Sequence, residues 1–216
     1  MKEHTVKTLA LIEKLRKLRE DLPSLGSEIA HTGNMSMYPM DMVIIGIVKR
    51  CLSTTSALEK LVIEWNMTCA RAVLRMQLDT VLRLSAFWLS PDLQKMAVDV
   101  MSGKQVNKMS DRDNNKMTDS YLSRKLGEQF DWVPRVYKYT SGYIHFSEKH
   151  LFDPICKIND KERTVDFVIN DKDYNFPEFS WVELVSCATG CLQIIKYFLD
   201  KYRQLKDLAV NKSMKE

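Results

Sequence analysis

Glycine and proline are scarce, with seven and six in 216 residues. Folds made of many short, turn-linked strands draw on both residues far more heavily, so the shortage points to long helices. Cysteine is sparse and odd in number: Cys51, Cys69, Cys156, Cys187 and Cys191. None forms a Cys-x-x-Cys pair, which argues against a disulfide framework and for buried free thiols in a reducing compartment. Cys187 and Cys191, four apart on an apolar helix, leave a redox pair as the other use. Histidine is scarcer still, at four, and no Cys/His spacing suits zinc, so no metal ligand set is assigned. There is no phosphate-binding glycine loop, no Gly-x-Gly-x-x-Gly, no His-Glu-x-x-His and no serine nucleophile elbow. The paired Glu-x-x-His signature of di-iron bundles is missing too, and no cofactor is implied.

Charge of one sign is also lacking. A net charge of +4 permits a nucleic-acid partner without implying one. No apolar run approaches the roughly 18 to 20 residues that span a bilayer, and the N-terminus is charged. The expectation is a cytoplasmic protein with no membrane partner.

What is present is helical periodicity. Residues 4–20 form an amphipathic helix through Leu11, Leu15 and Leu18, ended by Pro23 and Gly26, with residues 22–39 a connector. Residues 40–64, apolar on most sides, predict one continuous central helix. Asn66 or Thr68 caps the next, which runs to about Leu89 and packs through Ala70, Leu74, Leu78, Val81 and Leu82. Ser90-Pro91-Asp92 starts a short helix that stops at Gly103. Residues 104–117 are polar and read as a mobile loop, and Thr118 caps another short helix.

Asp131 caps a helix over 131–147. At about 100° per residue, Lys138, Ser141, Gly142, His145 and Lys149 share one stripe, and Val136, Tyr139, Tyr143, Ile144 and Phe146 take the opposite side. A mid-helix glycine costs about 1 kcal/mol against alanine, so Gly142 suggests close approach of a backbone or ligand. After Leu151, β-branched runs at 155–158 and 164–169 predict a small hairpin. A long helix over 178–207 closes the chain. The fold class is all-α, an antiparallel helical bundle with a β-hairpin insertion near 155–169. The whole chain, 1–216, reads as a single domain with its core at about 38–207.

Two charged features stand out. Arg71, Arg75, Asp79 and Arg83 follow at four-residue steps along a mostly apolar helix. They form either an intrahelical Arg75–Asp79 pair beside solvated arginines or a buried cluster that meets a second helix. His145, with Lys138 and Ser141 beside it, is the candidate catalytic set, because histidine moves protons near neutral pH and cations stabilise developing anions. Arg71, Arg75, Asp79, Tyr139 and Lys149 are the candidate binding residues.

Leu74-Arg75-x-x-x-Asp79, the Ser141-Gly142-Tyr143-Ile144-His145 stretch, the β insertion and the terminal helix together resemble the HEPN-like all-helical bacterial families over residues 38–205. The resemblance implies a bundle that often dimerises and, in catalytic members, a metal-independent ribonuclease with four to six residues between an arginine and the histidine that follows it. Lys138 holds the outermost of those positions, and lysine lacks the forked guanidinium that grips phosphate. The expected function is therefore a non-catalytic binding module that contacts RNA or a protein partner through the seam around His145, with self-association as a homodimer. The alternative is a toxin- or defence-type endoribonuclease centred on His145.

Overall fold

A computed structural model describes residues 3–33 and 35–213, with helices α1 (Val6–His31), α2 (Pro39–Ile63), α3 (Met67–Leu89), α4 (Leu93–Met101), α5 (Asp119–Gly127), α6 (Val133–Ser141), α7 (Glu148–Phe152) and α8 (Glu178–Ser213). Between α7 and α8 lies one antiparallel pair, β1 (Ile155–Asn159) and β2 (Thr164–Phe167). The all-α bundle with a small hairpin is thus the architecture observed.

Several boundaries follow the local chemistry. Asn66 Oδ1 accepts the Cys69 amide to cap α3, and Thr118 Oγ1 accepts the Tyr121 amide to cap α5. Helix α2 runs unbroken through Ser56. Others differ from the sequence expectation. Helix α1 continues to His31 with Pro23 inside it. An interior proline removes one backbone bond and costs about 3 kcal/mol. Burial of Leu22, Leu25, Gly26 and Ile29 offsets that cost, because these residues carry the stripe of Ile12 and Leu15 two more turns. Asp92, rather than Ser90, caps α4 by accepting the Gln94 and Lys95 amides. Residues 104–117 are built rather than loose. Asp111 is buried and accepts the Asp113 and Asn115 amides, and Ser110 bridges to Lys116.

Helix α8 is the longest element and lies against α1 and α3, while α2 packs between α1 and α3. By length and composition α8 could cross a bilayer, with a mean hydropathy of 1.4 in its most apolar stretch. Here its apolar residues serve the core instead: Trp181, Val185, Ala188, Cys191, Ile195 and Leu199 are fully buried. Trp65 takes a left-handed φ of 61° at the α2–α3 turn. Its ring stacks on His4 at 3.7 Å and meets Trp181 edge-on at 5.3 Å, contacts that hold the strained turn in place.

A second tie is ionic. Lys206 Nζ donates to Asp41 Oδ2 at 3.0 Å and to the Ile29 carbonyl at 2.8 Å, with both charged side chains 1% exposed. Asp41 Oδ1 accepts the Tyr202 hydroxyl at 2.9 Å, and Oδ2 accepts the Tyr38 amide at 2.7 Å. One carboxylate therefore joins the end of α1, the start of α2 and the last third of α8. Removing one partner strands a buried charge, so Lys206→Met is expected to cost about 3–5 kcal/mol in urea denaturation. A double-mutant cycle with Asp41→Asn tests this: the double variant is expected to lose clearly less than the sum of the singles.

Candidate functional site

The charged strip on α3 divides its members among different partners. Arg71 is 6% exposed, and its guanidinium carbon lies 4.5 Å from the Phe176 ring centre, 4.7 Å from Tyr143 and 5.2 Å from Tyr139. Its Nη1 donates to the Tyr143 hydroxyl and lies 3.8 Å from Asp153 Oδ2. Arg75 sits over the Tyr137 ring at 4.2 Å and faces Asp119 at 3.7 Å. Arg83 donates to Asp119 at 2.5 Å and pairs with Asp79 at 3.2 Å, while Arg50 approaches Asp79 at 3.8 Å. Arg75 and Asp79 therefore form no intrahelical pair. The strip is a graded cluster that meets other helices: Arg71 is buried, Arg75 nearly so, and Asp79 and Arg83 are half-buried, in keeping with the cost of leaving an arginine unpartnered in low dielectric.

The stretch after α6 departs from the expected helix over 131–147. Trp132, rather than Asp131, precedes α6, and the helix ends at Ser141. Thr140 and Ser141 hydroxyls bond back to the Val136 and Tyr137 carbonyls, each at 2.7 Å. Ser147 starts α7 and donates its hydroxyl to the Gly142 carbonyl at 2.8 Å. The turn carries the Tyr143 hydroxyl to Arg71, a stronger partner than any an exposed continuous helix would supply. Close approach does explain Gly142: a Cβ there would lie 2.9 Å from Lys149 Cδ and 3.2 Å from Ser147 Oγ.

The polar stripe is therefore not a helix face. His145 lies on the turn, exposed, with no hydrogen bond or ion pair among the described residues. Ser141 is committed to the Tyr137 carbonyl. With Lys138 it lines an open groove of about 640 Å³ between α5 and α6, which does not include His145. Lys149 folds back over the Tyr139 ring at 4.7 Å. Of the eight singled-out residues, the structure joins Arg71, Tyr139 and Lys149 around Tyr143. Arg75 and Asp79 stand in the α3–α5 network, and His145 stands apart.

Sequence reasoning missed Tyr143, Asp153, Phe176 and His150. His150 stacks on Phe146, meets Tyr143 edge-on (both at 5.6 Å) and accepts the Ser147 amide through Nδ1. Tyr143 had a signal in its spacing from Gly142, but Asp153 and Phe176 arrive from loops that carry no periodicity. Burial raises the Tyr143 phenol far above its ordinary range, so it stays a neutral donor and acceptor. Burial likewise holds the Asp153 carboxyl above the ordinary carboxylate range, outweighing the Arg71 charge, and its Oδ2 has no hydrogen-bond partner.

A cleft of about 150 Å³ opens on the other side of Arg71, between α3, α6 and α8. Its walls include Leu74, Val136, Leu184 and the Cys187 thiol, which burial pushes up to about 12. Cys187 is therefore a neutral thiol at physiological pH, poorly suited to redox exchange. No group of three His, Cys, Asp or Glu side chains among the described residues is placed to hold a metal ion. No known protein family, curated protein or solved structure matches the chain.

Two outcomes check this geometry. Tyr143→Phe leaves the Arg71 guanidinium without its hydrogen bond and is expected to cost about 1–3 kcal/mol in urea denaturation. A carboxyl whose pKa rises on folding contributes stability below its unfolded value and loses it as pH climbs through the folded value. Asp153→Asn is therefore expected to gain stability relative to wild type as pH rises from about 4 to 7. Urea midpoints of both proteins at the two pH values read the gain, and a constant difference would refute the desolvated carboxyl.

Proposed function

We propose that this chain is a HEPN-like helical binding module that holds a protein partner on the face around His145. The carrying observation is a concentration of exposed large apolar side chains there. Phe146 is 81% exposed, Phe152 65%, Phe167 57% and Ile169 92%, with Ile144, Leu151 and Ile158 beside them in sequence. Exposed apolar groups gathered in one region mark interaction surfaces, and aromatic anchors carry most of the energy in such contacts. The hairpin that bears two of these residues, Ile158 and Phe167, makes its extensive contacts within itself, and a lone two-stranded hairpin is marginal in water.

Charge separates protein from RNA as the partner. Residues 139–179 hold five basic and eight acidic side chains, a net charge of −3 within a chain of +4. Phosphate backbones are bound by a positive field, so this balance favours a protein that presents apolar side chains within a basic surround. The resemblance at the level of an all-helical bundle supports the HEPN-like part of the reading. A metal-independent ribonuclease centred on His145 finds less support. Among the described residues no group orients its imidazole, and a general base works through a positioned hydrogen bond.

A benzophenone amino acid in place of Ile169 tests the reading, with one in place of the exposed Gln105 as control. The expected result is a discrete protein adduct from position 169 only, lost with Phe146→Glu and reproduced with the purified pair. If the adduct is a second copy, light scattering is expected to show a dimer that Phe146→Glu separates. Equal adducts at both positions would overturn the docking face. RNA binding lost in Lys149→Ala would make nucleic acid the partner. RNA cleavage in EDTA lost in His145→Ala would establish the enzyme instead.

A further inference from the structure

We propose that the cleft between α3, α6 and α8 is a binding site for a small aromatic or branched monocarboxylate, with Arg71 holding the carboxylate. The inference does not depend on the docking reading. Its first support is the state of Arg71. The side chain is more than nine-tenths buried, yet its guanidinium makes one hydrogen bond, from Nη1 to Tyr143. A guanidinium offers five N–H groups, and the other four find no acceptor among the described residues. Asp153, at 3.8 Å, lies beyond hydrogen-bond reach and is not part of the cleft wall. Arg71 is thus a wall residue of the cleft, a cation packed against aromatic rings with N–H donors unused.

The second support is the shape and lining of the space. The cleft holds about 150 Å³, and a cavity of about that size in a helical protein accepts a benzene-sized ligand. Leu74, Val136, Leu184 and Cys187 supply apolar wall, and the half-exposed Tyr139 borders it. The neutral Cys187 thiol behaves as one more small apolar group. At the rim, Arg135 and Glu183 offset one another, leaving Arg71 as the unmatched charge among the residues of the cleft wall, with Asp153 behind it at 3.8 Å. These features select the ligand class. One planar, bidentate donor fork fits one planar carboxylate. A phosphate dianion would bring more charge and more hydration than one arginine and four apolar walls can replace. The body attached to that carboxylate is apolar and about the size of one ring.

Calorimetric titration of the full chain with benzoate, beside its neutral isostere benzamide, tests the site. Benzoate is expected to bind, and benzamide at least about tenfold more weakly, because hydrogen bonds to a buried charge exceed the 1.4 kcal/mol that a factor of ten represents. Arg71→Gln is expected to abolish the preference for the anion, but that variant also loses the Tyr143 contact and can unfold. Cys187→Leu provides the second arm: it fills the wall, leaves Arg71 in place and is expected to weaken benzoate at least about tenfold with an unchanged circular dichroism melt. Absence of benzoate binding at millimolar concentration would overturn the proposal. Equal affinity for benzamide would overturn the carboxylate role of Arg71, and undiminished binding in folded Cys187→Leu would overturn the location.

Discussion

The second half of this chain is arranged around the need to satisfy charge buried on α3. Arg71, Arg75, Asp79 and Arg83 lie on a helix that also supplies much of the core, so folding buries Arg71, nearly buries Arg75 and takes Asp79 and Arg83 partly out of water. Leaving one such group unpaired costs several kcal/mol, comparable to a large part of a domain's total stability. Asp119 on α5 answers Arg75 and Arg83, Tyr137 on α6 covers Arg75, and the turn after α6 brings Tyr143 to Arg71. Phe176, just before α8, closes the aromatic box. The positions of α5, α6 and α7 follow from this demand more than from any apolar stripe of their own, since all three are short.

The same demand breaks α6. A continuous helix would leave Thr140, Ser141 and Gly142 in mid-helix, where hydroxyl back-bonding and glycine both weaken the ladder. Ending at Ser141 costs little and lets Tyr143 turn inward. The residues after it then turn outward, and that is why Ile144, His145 and Phe146 are exposed together. One packing event thus relocates the chemistry. The positive centre of the site becomes Arg71, beneath an aromatic cover, while His145 becomes part of an apolar surface.

The hairpin continues that surface. Its alternation predicts strands, but every β2 residue is exposed, and the register irregularity between Ile155 and Lys157 leaves the pairing short. Strand propensity and a turn suffice to pair two strands locally, while neither strand packs extensively on a helix of the bundle. Apolar side chains in an element with no intramolecular partner are consistent with covering by something else, and the acidic balance of the region shapes what that can be.

The sequence by itself determined the helical bundle, the continuity of α2 and the caps at Asn66 and Thr118. Each rests on local rules: periodicity, propensity and hydroxyl or amide capping act within a few residues. It also displayed the charged strip on α3, though not which reading of it was right. Where local and distant forces opposed one another, local reading failed. Pro23 stops a helix only if nothing rewards its continuation, and packing of α1 on α8 and α2 rewards it by burying Leu22, Leu25 and Ile29. Lys206 meeting Asp41, and Phe176, Tyr143 and Asp153 meeting Arg71, join residues between 72 and 165 positions apart. No spacing encodes such encounters. Tertiary packing alone decided them, because only there does the cost of burying a charge become payable by a distant side chain.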